Sequence, residues 1–122
     1  MNGALSIAQH AVNAEPSNLG SRNRLATLMV QSGKNKAETA LALLAGMGEE
    51  GPNNKSGEVD AAVEALNIQA VAQTISSGTR EDREEISLLQ RDALAKAQRA
   101  VMMRPSDKRG WDALAYVRAT TL

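Results

Sequence analysis

Few side chains here could carry chemistry. The 122 residues hold one histidine, His10, and no cysteine. That removes a thiol nucleophile, a thiolate metal site, a disulfide framework and any multi-histidine centre. His10 is expected on a helix surface, solvated rather than acting as a base. The densest acidic group is Glu81, Asp82, Glu84 and Glu85, which on paper could hold a divalent cation. Arg80 and Arg83 interleave with it. Spacings of i to i+3 and i+4 suit surface ion pairs instead. Asp60 and Glu64, one helical turn apart, read as an exposed face. GMGEEG at 46–51 is not a phosphate loop: no strand precedes it, no Lys-Ser/Thr follows it, and its acids would repel phosphate. No catalytic residue, cofactor or metal is expected.

Binding is what remains. The chain carries 14 basic and 14 acidic side chains, so it has no global basic field for nucleic acid. Arg99, Arg104, Lys108 and Arg109 form a local basic cluster. Basic residues at a turn are usually just solvated, so direct contact with nucleic acid is not expected. No apolar run approaches the roughly 20 residues that a membrane helix needs. The stretch MNGALSIAQHAVNAEP lacks the basic start and continuous apolar core of a secretory signal. A cytoplasmic location and no membrane contact are the resulting expectations.

Helices must position whatever binds. Alanine and other strong helix formers dominate, and no run of alternating β-branched residues suggests a strand. Only 2% of the residues are aromatic. Small apolar side chains suit helices packed toward the short end of about 8–10 Å. Apolar periodicity predicts six helices, near 3–14, 20–32, 35–46, 58–76, 80–103 and 108–121. Gly33 stops the second. Asn35 with Glu38, and Thr79 with Asp82, read as capping boxes. Ser106 or Asp107 caps the last helix. The Gly-, Pro-, Asn- and Ser-rich segment 46–57 reads as a loop or insertion within a single domain spanning 1–122.

One feature stands above this pattern. AQHAVNAEPSN at 8–18 returns as AQRAVMMRPSD at 97–107. The register continues to Leu25-Ala26 and Leu114-Ala115. Chance rarely places so many identities in one ungapped window, so the chain contains an internal repeat.

The two copies resemble junctions of the tetratricopeptide repeat (TPR) family. That repeat is a helix pair of about 34 residues. Its second helix ends in small residues and a proline, and the next pair opens on Trp, Leu and a small residue. In the second copy Ala97, Ala100, Pro105, Trp111, Leu114 and Ala115 fit this pattern. In the first, Ala4, Ala8, Ala11, Pro16, Leu25 and Ala26 fit. Arg22 replaces the tryptophan, and Met29 and Arg118 replace the later aromatic. The physics suits the types: alanine lets helices approach closely, Trp and Leu fill the space beside it, and proline ends the helix.

The resemblance implies an all-α, irregular α-solenoid of antiparallel helix pairs. It would begin on a lone second helix, hold two pairs and end on a lone first helix. Loop 46–57 and the long fourth and fifth helices take up the departure from the repeat period. Apolar surface would lie open at both ends. Trp111 is expected mainly in the core and Tyr116 partly exposed. Family members bind proteins in a groove lined by first helices. This points to Asn23, Thr27, Arg109, Asp112 and Tyr116 as partner-contacting positions. The Lys and Asn clamp that some members use for a terminal carboxylate is not supplied. The second copy is also similar to the C-terminal end of TPR scaffold subunits of fungal superkiller complexes. That likeness implies a scaffold among other protein subunits of a cytoplasmic RNA-decay assembly; the alternatives are a self-contained helical bundle acting as an adaptor or regulatory domain, and an RNA-contacting helical-repeat surface.

Overall fold

A computed structural model describes residues 2–33, 36–45 and 56–120. The described residues form six helices and no strand: α1 (Asn2–Ala14), α2 (Leu19–Ser32), α3 (Ala37–Leu43), α4 (Ser56–Ser77), α5 (Arg83–Met103) and α6 (Lys108–Thr120). None is long and apolar enough to cross a membrane.

The boundaries follow from local chemistry. Asn18 opens α2, and its side-chain oxygen accepts from the Ser21 N–H at 3.0 Å. Gly33 closes α2 at φ 151°, a backbone region that L side chains rarely adopt. Asp107 begins α6, accepting from the Arg109 N–H at 2.9 Å. Each cap satisfies a donor that the first helical turn leaves without a partner.

One expected cap differs. Thr79 does not start α5: its hydroxyl donates to the Ser76 carbonyl at 2.8 Å, closing off α4 instead. Asp82 takes the role, with extended backbone and an acceptor oxygen 2.9 Å from the Glu84 N–H. Asn35, and residues 46–55 of the expected loop, lie outside the described residues. The last two residues of that loop, 56 and 57, already belong to α4. The third helix is shorter than expected, because Leu44 leaves helical geometry at φ −98°, ψ 4°.

Consecutive helices pack on one another throughout, and α4 also touches α2 and α6. The core falls into small clusters strung along that path. Ala8 and Val12 of α1 meet Leu25 of α2. Ala26 meets Ala40, Leu44 and Ala65. Val63 and Leu66 of α4 meet Ala100 of α5. Ala70 meets Ala93, Ala97 and Val101 of α5 with Leu114 and Val117 of α6. Alanine is the commonest member, and its small side chain lets these backbones sit close.

Polar side chains tie the helices at defined places. The Gln69 amide donates to the Leu44 carbonyl at 2.7 Å, and Arg22 donates to the Leu43 carbonyl at 2.5 Å. Both carbonyls end α3, where no further helical N–H can reach them. Gln73 donates to Asp92 at 2.9 Å and accepts from Lys96. Burial opposes ionisation of Asp92, but the hydrogen bonds from Lys96 and Gln73 outweigh it and lower its pKa.

Candidate functional site

Three helices that alternate along the chain, α2, α4 and α6, enclose a groove of about 380 Å³. Helix α2 contributes Thr27, Val30 and Gln31; α4 contributes Asn67, Ile68 and Val71; α6 contributes Arg109, Asp112, Ala113 and Tyr116. On each helix these positions recur within the three- and four-residue spacing of one face, some as adjacent pairs. Val30, Ile68, Val71 and Ala113 give an apolar lining. Thr27, Gln31, Arg109, Asp112 and Tyr116 surround it with polar groups.

The electrostatics are local. Arg109 makes two hydrogen bonds to Asp107, at 3.2 and 2.9 Å. Those bonds hold the Asp107 carboxyl below its usual range and raise the Arg109 guanidinium. Glu64 and Asp60 on α4 reinforce the positive charge of Arg109. The Asn67 side-chain oxygen is buried beside the groove and has no hydrogen-bond partner among the described residues. Such an acceptor costs about 1–3 kcal/mol if left unmet. An apolar surface with a few convergent polar groups can take up an amphipathic ligand.

Four of the five expected partner-contacting residues converge here: Thr27, Arg109, Asp112 and Tyr116. Asn23 does not. It is wholly buried, its amide donating to the Ala61 carbonyl at 3.0 Å, so it joins α2 to α4 and faces no partner. Tyr116 is partly exposed, at 39%. The groove also contains positions that periodicity did not single out as contacts, Val30, Gln31, Asn67, Ile68, Val71 and Ala113. The unusually wide apolar band of α4, with Ile68 and Val71 beside its main stripe, was the available signal.

The expected packing residues divide. Ala8, Leu25, Ala26, Ala97, Ala100 and Leu114 are buried. Pro16 and Pro105 sit exposed in the turns, and Ala11, Trp111 and Ala115 are exposed on helix faces. Trp111 is therefore corrected from core to surface: it is 51% exposed, with its indole N–H donating to the Pro105 carbonyl at 2.7 Å. The reason is the lack of a neighbour on that side of α6 among the described residues.

The two echoed junctions share one turn. The Glu15 N–H bonds to the Ala11 carbonyl and the Asn18 N–H to the Glu15 carbonyl, both at 3.0 Å. The Arg104 and Asp107 amides repeat this with Ala100 and Arg104, again at 3.0 Å. The basic cluster is partly neutralised: Arg104 pairs with Asp60 at 2.9 Å and Arg109 with Asp107. The acidic cluster is partly committed too, since Asp82 caps α5 and Glu85 pairs with Arg80 at 3.0 Å. No known protein family, curated protein or solved structure matches the chain.

Proposed function

We propose that the chain is a non-catalytic helical-repeat scaffold that holds a segment of another protein subunit in the groove between α2, α4 and α6. In this reading α2–α3 and α4–α5 are the two complete antiparallel pairs of a short, irregular TPR-like solenoid. The order of packing supports it. Each helix packs on the next, and the first helices α2, α4 and α6 also pack in a row. A row of first helices is where a repeat array places its concave binding surface.

The observation that carries the proposal is the groove itself: among the described residues, its lining comes from those three helices. Its size and its apolar lining with a polar surround suit an extended or helical peptide segment. A nucleic-acid partner is less well served, because Arg104 and Arg109 are already held by carboxylates. A setting in a superkiller-type RNA-decay assembly rests on the stretch around residues 97–119 alone.

A displayed peptide library selected on the chain tests the reading. Selected peptides should shift the amide resonances of Thr27, Val71 and Tyr116. Tyr116→Ala and Gln31→Ala, both at surface positions, should each weaken binding about tenfold, the scale of one lost contact of about 1.4 kcal/mol. Peptides that map to another face, or affinities that ignore both substitutions, would overturn it.

A further inference from the structure

The echo supplies an internal control for each outer helix. Positions on α1 and α2 have counterparts on α5 and α6, as Ala8 has Ala97. On α5 the face bearing Ala93 and Ala100 is buried against α4, with Ala93 beside Ala70 and Ala100 beside Val63 and Leu66. Lys96, between them, bonds to Gln73 of α4. The matching positions on α1 are Ala4, Ile7 and Ala11, and all are exposed, Ile7 at 69%.

Helix α2 gives the complementary comparison. Its Ala26 is wholly buried against Ala40 and Leu44, and its Arg22 donates to the Leu43 carbonyl at the end of α3. The matching positions on α6 are Ala115 and Trp111, and both are exposed. So α1 has the face that α5 turns to α4, and among the described residues that face is exposed. Helix α6 has the face that α2 turns to α3, exposed in the same way.

We infer that copies of this chain associate head to tail, α6 of one copy packing on α1 of the next to complete a helix pair. The inference rests on the repeat reading, because it takes α1, α3 and α5 as helices of one kind. The chemistry of the two faces agrees. Between Asn2 and Ala14, α1 has no acidic or basic residue other than His10, whereas a solvated end of a repeat array is polar. Small Ala115 meets the small face of Ala4 and Ala11, as Ala26 meets Ala40. Ile7 and Trp111 leave water. Glu15 and the last carbonyls of α1 come opposite Lys108 at the start of α6, a cation at a helix C-terminus. In α2–α3 the Arg22 guanidinium also meets a carbonyl at the end of α3, from a position one turn further along its helix. Two different faces joined in this way do not close at a dimer.

Sedimentation of the chain over a wide concentration range provides the test. The average mass should rise past that of a dimer. Ile7→Glu and Trp111→Glu, both on exposed sites, should each give monomers with unchanged helix content. Mixed in equal amounts they should form a dimer and nothing larger, since one intact α6 face meets one intact α1 face. An unaltered chain that stays monomeric, or stops at a dimer, would overturn the inference, as would a mixture that stays monomeric. Capture of the selected peptide by Ile7→Glu separates the two readings. A monomeric unaltered chain with intact capture removes only head-to-tail association, whereas lost capture in a folded monomer counts against the groove.

Discussion

At the scale of single residues, the two echoed turns differ in an informative way. Asn18 and Asp107 hold the same position and cap the helix that follows. One is neutral and the other charged. Asn18→Ala should destabilise the chain by about 1 kcal/mol, the usual cost of a lost N-cap, as read from urea unfolding. Asp107 adds a dependence on pH. Its carboxyl is held below the ordinary 3.8, chiefly by the Arg109 side chain. A group with a depressed folded pKa gives stability that is complete above its unfolded value and lost as pH falls through the folded one. Acid unfolding should therefore draw on Asp107 below about pH 4. Asp107→Asn, which copies the cap already used at Asn18, should remove that part of the acid sensitivity and keep the helix. A pH profile identical to that of the unaltered chain would show that Asp107 contributes nothing in acid.

At the scale of elements, the close approach of α5 and α6 is set at Gly110. A Cβ there would stand 3.3 Å from a Val101 methyl and 3.7 Å from its backbone. The first copy bears on whether this is tolerable, because it holds Ser21 where the second has Gly110, with Val12 in the place of Val101. Gly110→Ala should thus fall between neutral and about 1 kcal/mol stabilising, as helix propensity offsets a small adjustment of Val101. Gly110→Leu has no room and should cost about 2 kcal/mol by overpacking. Thermal unfolding of the two variants decides this, and equal losses in both would show that the turn cannot yield at all. These same junctions were the legible part of the sequence. Small residues, a proline and a following Leu specify a local turn, and such information survives without knowledge of neighbours. The start of α5 was less legible, because Thr79 and Asp82 are both good caps, and in the fold the Thr79 hydroxyl turns back to the Ser76 carbonyl. Trp111 and Asn23 were misplaced for one physical reason. Their burial depends on which helix lies across from them, and one sequence does not state that. The share of α4 in the groove was only half legible: the width of its apolar band could be read, but an apolar stripe looks the same whether it is packed or open.

At the scale of the whole molecule, each helix packs on its neighbours in sequence, and α4 packs also on α2 and α6. Helix α4 touches four others, while the main contacts of α1 are with α2. In the repeat array proposed above, stability is close to a sum of local and nearest-neighbour contributions. Hydrogen exchange should therefore be graded, slowest in α4 and fastest in α1. Leu25→Ala gives the sharper test. Leu25 is almost wholly buried in the cluster formed by α1 and α2. Its truncation should cost about 3 kcal/mol. In a serial array that loss falls on α1 and α2, which exchange faster, while α5 and α6 keep most of their protection. In a single cooperative core the loss is shared, and every slowly exchanging amide speeds up together. Uniform acceleration across all six helices would mean that the chain is one closed bundle. The groove between α2, α4 and α6 would then be a crevice in a single core, without the independent helix pairs that a repeat scaffold requires.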